Sequence, residues 1–174
     1  TEKRPQAIKI SEELDSIGAQ HNAFTGQEYT GYYAKSHPKH LDTILDVVSD
    51  IYLNPTLDSV EIQKEKGVII EEINMYLDMP QHHVHDLMME LLYGDQPAGR
   101  GIAGTKETVS ATTREDFIKY RTEHYVSEAT TVIVSGNINS AKTIKSIEKA
   151  FRGIPIRTIA SKERVLEKQA TPQI

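Results

Sequence analysis

Between the Asn54-Pro55 break and Pro80 lies a stretch that reads as one long helix, about Ser59 to Leu77. Its second half, Glu65–Leu77, carries carboxylates where a purely structural helix would not place them. At about 100° per residue, Ile62, Glu65, Ile69, Glu72, Ile73 and Tyr76 fall along one stripe, while Lys64, Glu71, Asn74 and Asp78 lie more to the other side. Glu65 and Glu72 stand two turns apart, nearly one above the other. An ionised carboxylate on an apolar stripe is costly unless a metal, a cation or several hydrogen-bond donors pair with it. The pattern therefore asks for a partner at Glu72; the alternative is a charged helix whose register is displaced by one position.

The rest of the chain reads as helices with a few strands. Pro5 to Ile17 is a helix with Ala7, Ile10, Leu14 and Ile17 as its buried stripe, ended by Gly18. Gln20–Thr25 and Tyr29–Lys35 carry the aromatic and threonine residues favoured in strands, with turn chemistry at Gly26-Gln27-Glu28 between them. Leu41–Leu53 is a helix whose apolar face is Leu41, Ile44, Leu45, Val48 and Ile51 or Tyr52. A further helix spans His83–Leu92, Gly94–Thr105 is a loop, and Thr113 caps another helix with Asp116 at its third position. Ala129–Ser135 reads as the best strand of all, turned by Gly136-Asn137 into a helix over Ala141–Phe151. This uneven alternation predicts α+β architecture, an antiparallel or mixed sheet packed with helices.

Composition narrows the function. At 174 residues and 38% apolar, the chain is long enough for one domain with a sizeable core. A net charge of -5 with no basic cluster argues against nucleic acid or an anionic membrane as partner. No apolar run is long enough to span a bilayer. With no cysteine, disulfides, thiolate metal sites and cysteine catalysis are excluded, which points to a reducing compartment or to none in particular. Gly99–Lys106 lacks the lysine placement of a phosphate loop and reads as an ordered surface loop. His82, His83 and His85 have chelating spacing but no third ligand nearby, so they read as solvated, as do His37 and His40. His21 and His124 stand alone, and there is no Ser/His/Asp signature.

Taken together, Gly18–Thr25, Tyr29–Tyr33, Glu65–Glu72, Gly99–Thr105, and His124-Tyr125 followed by Val132–Gly136 resemble the insulinase and mitochondrial-processing-peptidase superfamily of zinc proteases. The likeness covers almost the whole chain and is nearest in style to bacterial processing proteases. The resemblance implies that Glu72 is the third zinc ligand, that Glu65 supports the site from the outer shell, and that Glu71 is ordinary surface. It implies that His21, Asn22, Ala23, Phe24 and Thr25 form the edge strand that binds an extended or unfolded peptide by strand addition. The reaction implied for the parent enzyme is hydrolysis of peptides or presequences by a zinc-bound water, with a glutamate as base.

The family's other two zinc ligands and its general base lie in a His-x-x-Glu-His motif, and no such motif occurs here. The resemblance therefore implies that residues 1–174 are a single partial domain, truncated at both ends and inactive alone, with Glu167–Ile174 opening the strand that closes the sheet. A non-catalytic scaffold or peptide-binding subunit of the same fold is the alternative. Further expectations are a second chain or homodimer covering the truncated sheet, and a bacterial cytoplasmic location, or the mitochondrial matrix for a eukaryotic source.

Overall fold

The computed structural model describes residues 1–159 and 161–167, and these sort into two compact units. The first comprises Thr1–Thr56 with Lys119–Ile159. Helix α1 (Ala7–Ser16) ends at Gly18, whose φ of +64° reverses the chain into strand β1 (Gln20–Thr25). β1 pairs antiparallel with β2 (Thr30–Lys35), so that His21 opposes Ala34, Ala23 opposes Tyr32 and Phe24 opposes Gly31. Side chains alternate across the pair. Ala34 and Tyr32 face the helices, Ala34 packing on the core of Leu14, Ala19 and Val47, while Asn22, Phe24, Gly31 and Tyr33 share the opposite face.

A Cβ on Gly31 would sit 2.3 Å from the tip of the Phe24 ring, so a larger residue there makes the half-exposed ring swing aside. Because that ring is free to move into solvent, Gly31→Ala is expected to change stability by no more than about 0.5 kcal/mol, measured by urea unfolding.

Helix α2 (Leu41–Leu53) has the expected bounds, but its buried positions are Leu45, Val47, Ser49 and Asp50 rather than one narrow face. The reason is that α1, β2 and α7 (Ser140–Ala150) all pack against it. Expected stripe residue Ala7 is exposed, whereas Leu14 is 2% exposed. The expected strand Ala129–Ser135 forms no ladder among the described residues: Ser127–Ala129 is a 3₁₀ turn and Ile133 is 83% exposed. β-propensity marks a fit to a pleated, half-buried surface, and no described strand lies alongside to supply that surface. The expected strand opening at Glu167–Ile174 falls, beyond Glu167, outside the described residues.

Arg4 locks the start of this unit. Its side chain is 4% exposed; Nε and Nη2 donate to Glu13 at 2.7 and 2.8 Å, Nη1 to Asp50 at 2.8 Å and Nη2 to Asp46 at 2.6 Å. Lys3 also binds Asp46, and Thr1 Oγ1 donates to Asp50 at 2.6 Å. Hydrogen bonding to Arg4 holds the Glu13 carboxyl below its ordinary value. Burial pushes Asp46 and Asp50 up, but hydrogen bonds from Lys3 and Arg4 to the first, and from Thr1, Arg4 and Asn54 to the second, leave both below the ordinary aspartate value.

All three carboxyls thus bind protons more weakly folded than unfolded, so their contribution is present above the ordinary carboxylate range and disappears as pH falls through the folded values. Stability is expected to fall as pH drops into and below the ordinary carboxylate range, and in Arg4→Met to fall less steeply, as read from urea midpoints.

The second unit comprises Leu57–Ile118 and Ala160–Ile174, so far as described. Helix α3 (Ser59–Leu77) begins where the Asp58 carboxylate accepts the N–H groups of Val60 and Glu61 at 2.9 and 3.1 Å. Helix α4 (Pro80–Tyr93) starts three residues earlier than expected because Pro80 occupies its first turn, where a missing N–H is harmless. Both α4 and α5 (Lys106–Ala111) pack on α3.

The loop before α5 folds tightly, since a Cβ on Gly99 would meet the Gly94 carbonyl at 2.3 Å. Gln96 bonds through its side-chain amide to both the N–H and the C=O of Leu166. Helix α6 (Arg114–His124) is opened by the expected reciprocal bonds between Thr113 and Asp116. The class is α+β, many helices with one antiparallel strand pair. No helix among the described residues is long and apolar enough to cross a membrane.

Candidate functional site

Glu65 and Glu72 both sit on α3 as expected, on the same side of the helix and about 10 Å apart along its axis at 1.5 Å per residue. Their environment differs from the expectation. The half-buried stripe of α3 is Ile62, Lys66, Ile69, Ile70, Ile73 and Asn74, and Glu65, Glu72 and Tyr76 flank it, exposed. The apolar stripe is thus rotated away from the two glutamates, and desolvation does not by itself demand a partner for either. Both are accessible carboxylates on a rigid element. Glu71 is exposed as well, with the Asn74 amide 3.4 Å away.

The second candidate group, His21, Asn22, Ala23, Phe24 and Thr25, lies in β1. One edge of β1 is used by β2, and no other strand flanks it among the described residues. The Ala23 N–H donates to its neighbour's Asn22 Oδ1 at 2.8 Å, a side-chain bond rather than a ladder bond. The free edge therefore carries a donor held by a small displaceable group, and five extended residues offer about 17 Å of backbone. Phe24 lies edge-on to Tyr29, with ring centroids 6.0 Å apart, and 6.3 Å from Tyr33, making an exposed aromatic cluster beside the edge. A pocket of His21, Ala23, Tyr32, Leu14, Val48 and Ile51, among others, lies beneath the same strands.

Sequence reasoning passed over the aromatic group behind this hairpin. Tyr32 of β2 meets Tyr125 hydroxyl to hydroxyl at 3.2 Å and stands edge-on to Tyr52 of α2. Tyr52 packs on Tyr125 at 4.9 Å and on Phe151 at 5.9 Å, and its hydroxyl bonds Thr130 Oγ1 at 2.7 Å. Arg121 lies 4.2 Å over the Tyr125 ring and donates to the Tyr52 carbonyl, one of those the end of α2 leaves without a helical partner. Burial, with the Tyr32 hydrogen bond, pushes the Tyr125 hydroxyl up to about 12. The only hint in the sequence is eight tyrosines in a chain without tryptophan.

Four of the seven histidines make local side-chain contacts. The His37 ring accepts the Lys39 N–H, His21 Nε2 is 3.3 Å from Asp15, His82 lies against Tyr76 and His124 against Tyr120. A zinc centre in a hydrolase takes three protein ligands and keeps a fourth position open. Among the described residues no group of three His, Asp or Glu side chains can hold a metal ion. These residues alone do not fit a zinc centre, and Glu72 fits as one carboxylate ligand.

The sequence model described as insulinase (peptidase family M16) matches residues 1–106, and the one described as peptidase M16 inactive domain matches residues 111–174. An uncharacterized zinc protease of Bacillus subtilis is 41% identical over 145 residues, covering 83% of this chain and 35% of that protein. One from Streptomyces coelicolor is 36% identical over 151 residues, covering 87% and 33%. The chain spans about a third of the length of these relatives. Among solved structures, a protease from Helicobacter pylori superposes with a TM-score of 0.85 at 21% identity over 95% of this chain and 40% of that one. Pitrilysin gives 0.82 at 20% identity over 94% and 18%.

Proposed function

As this chain belongs to the insulinase family, peptidase family M16, we propose that it is the part of a zinc-dependent endopeptidase that binds an extended or unfolded peptide and contributes one metal ligand. The observation that carries this reading is the open edge of β1, with the Ala23 amide turned away from the ladder. A peptide laid antiparallel or parallel along that edge would replace the Asn22 side chain with its own carbonyl at Ala23, while Phe24 and its aromatic neighbours meet alternate side chains. Glu72 is the carboxylate this chain supplies to zinc and Glu65 its support one heptad away, the remaining ligands and the base coming from elsewhere in the whole protein. The chain alone is inactive in this reading.

Ala23→Pro tests the edge. Its N–H is absent from the ladder, so proline is tolerated by an edge strand yet removes the outward donor. Fluorescence anisotropy with a labelled unstructured peptide is expected to show binding weakened about 3–10-fold, the value of one hydrogen bond, with the thermal midpoint little changed. A folded Ala23→Pro chain that binds as tightly as wild type contradicts strand addition here.

A second reading, a non-catalytic peptide-binding scaffold, is favoured by the inactive-domain match over residues 111–174. It shares the edge strand but predicts no zinc in the whole protein. Either reading leaves the exposed Phe24, Tyr29 and Tyr33 cluster open to a second copy of this chain, and sedimentation of a monomer at all concentrations would remove that addition.

A further inference from the structure

A two-stranded hairpin is marginally stable in water, so a β1 edge able to receive a peptide must be held by something other than its own ladder. Ala34, near the end of β2, packs on the core, and Ser36 just beyond it donates to the Ile17 carbonyl at 2.8 Å. Tyr32, further toward the turn, stands directly opposite Ala23, in the middle of the proposed peptide-binding stretch. Its hydroxyl meets that of Tyr125, whose ring packs on Tyr52 and against the guanidinium of Arg121. Arg121 is itself fixed on the α2 carbonyl of Tyr52. The hydroxyl that reaches Tyr32 therefore comes from a rigid setting of helix ends and rings.

We infer that Tyr125, acting through its hydroxyl on Tyr32, is a positioning residue that fixes the β1 edge for peptide binding. Tyr125 lies in the segment matched by the inactive-domain model, and the hairpin in the segment matched by the insulinase model. The second segment thus sets the binding edge of the first without touching peptide. This rests on the strand-addition reading above. Two phenol hydroxyls in contact, one of them donor and the other acceptor, constrain distance and direction in a way that ring packing alone does not.

The test uses this chain with Tyr125→Phe, Tyr32→Phe and the double variant. Asn139→Ala, which removes the N-cap of α7 and its bond to the Lys142 N–H, serves as a control that lowers stability away from the hairpin. Two quantities are read: hydrogen exchange of the β1 and β2 amides, and affinity for the labelled unstructured peptide. Either single variant is expected to speed hairpin exchange and to weaken binding about 3–10-fold, and the double variant to be no worse than one alone, because both remove the same bond. Asn139→Ala should lower the thermal midpoint while leaving both readouts as in wild type.

Additive effects in the double variant, unchanged hairpin exchange in Tyr125→Phe, or equal loosening by Asn139→Ala would each overturn the inference. A wild-type chain that binds while Tyr125→Phe binds equally well overturns the positioning role alone. A wild-type chain that binds no peptide overturns the strand-addition reading, and the positioning role with it.

Discussion

Arg4→Met is expected to cost this chain about 3 kcal/mol, the low end of what breaking a buried ion pair costs. The estimate follows from where the three carboxylates are left. Glu13 and Asp46 are 37% and 47% exposed, so water and Lys3 can take over part of the lost interaction. Asp50, 9% exposed, keeps among the described residues the Thr1 hydroxyl and the Asn54 amide as hydrogen-bond donors, neither of which carries the charge that Arg4 supplied. Against a typical total of about 5–15 kcal/mol the loss is a large fraction. Arg4→Lys keeps a charge but not the planar fork that grips both oxygens of Glu13, and should fall between the two. Adding Asp50→Leu to Arg4→Met removes the stranded charge and should restore much of the loss. Urea unfolding with an unchanged m-value reads all of these, and an Arg4→Met loss below about 1 kcal/mol would show that the network is not holding the unit together.

Elements with strong local signals were legible in the sequence. Leu41–Leu53 and Ser59–Leu77 form with the expected bounds, because breakers at Asn54-Pro55 and Pro80 mark their limits. The hairpin was legible from its aromatic residues and Gly26, and the Thr113 cap from Asp116 three residues on. What escaped depends on tertiary context. Ala129–Ser135 has the composition of a strand but lacks a described neighbour to pair with. The α3 stripe was misjudged because the packed face of a helix is set by what covers it: α4 and α5 cover the side of Ile62, Lys66, Ile69 and Ile73 and leave Glu65 and Glu72 outside. The ion network of Arg4 joins residues more than forty positions apart, and the Tyr32–Tyr125 bond more than ninety, separations at which no local pattern speaks. The family itself was legible from five short blocks in order, and the insulinase match over residues 1–106 agrees.

The other large effect concerns Glu72. If Glu72 is the proposed ligand, Glu72→Gln in the whole protein exchanges an anionic carboxylate for a neutral amide, and zinc content and peptide cleavage are expected to fall together. On the same proposal Glu65→Gln would remove only support, for which losses of about 10–100-fold are typical. The two exposed glutamates share a helix face and a similar helical setting, so a difference between them reports on their roles and not on folding. Glu71→Gln, on an adjacent exposed position, is the control expected to change neither quantity.

The deciding measurement is zinc per chain and cleavage of an unstructured peptide by the whole protein, in wild type, Glu72→Gln, Glu65→Gln and Glu71→Gln side by side. About one zinc in wild type, its loss with activity in Glu72→Gln, a partial defect in Glu65→Gln and none in Glu71→Gln is the predicted pattern. A wild-type protein without zinc or cleavage, or a Glu72→Gln protein that retains both, would contradict the protease reading and leave the peptide-binding scaffold in its place.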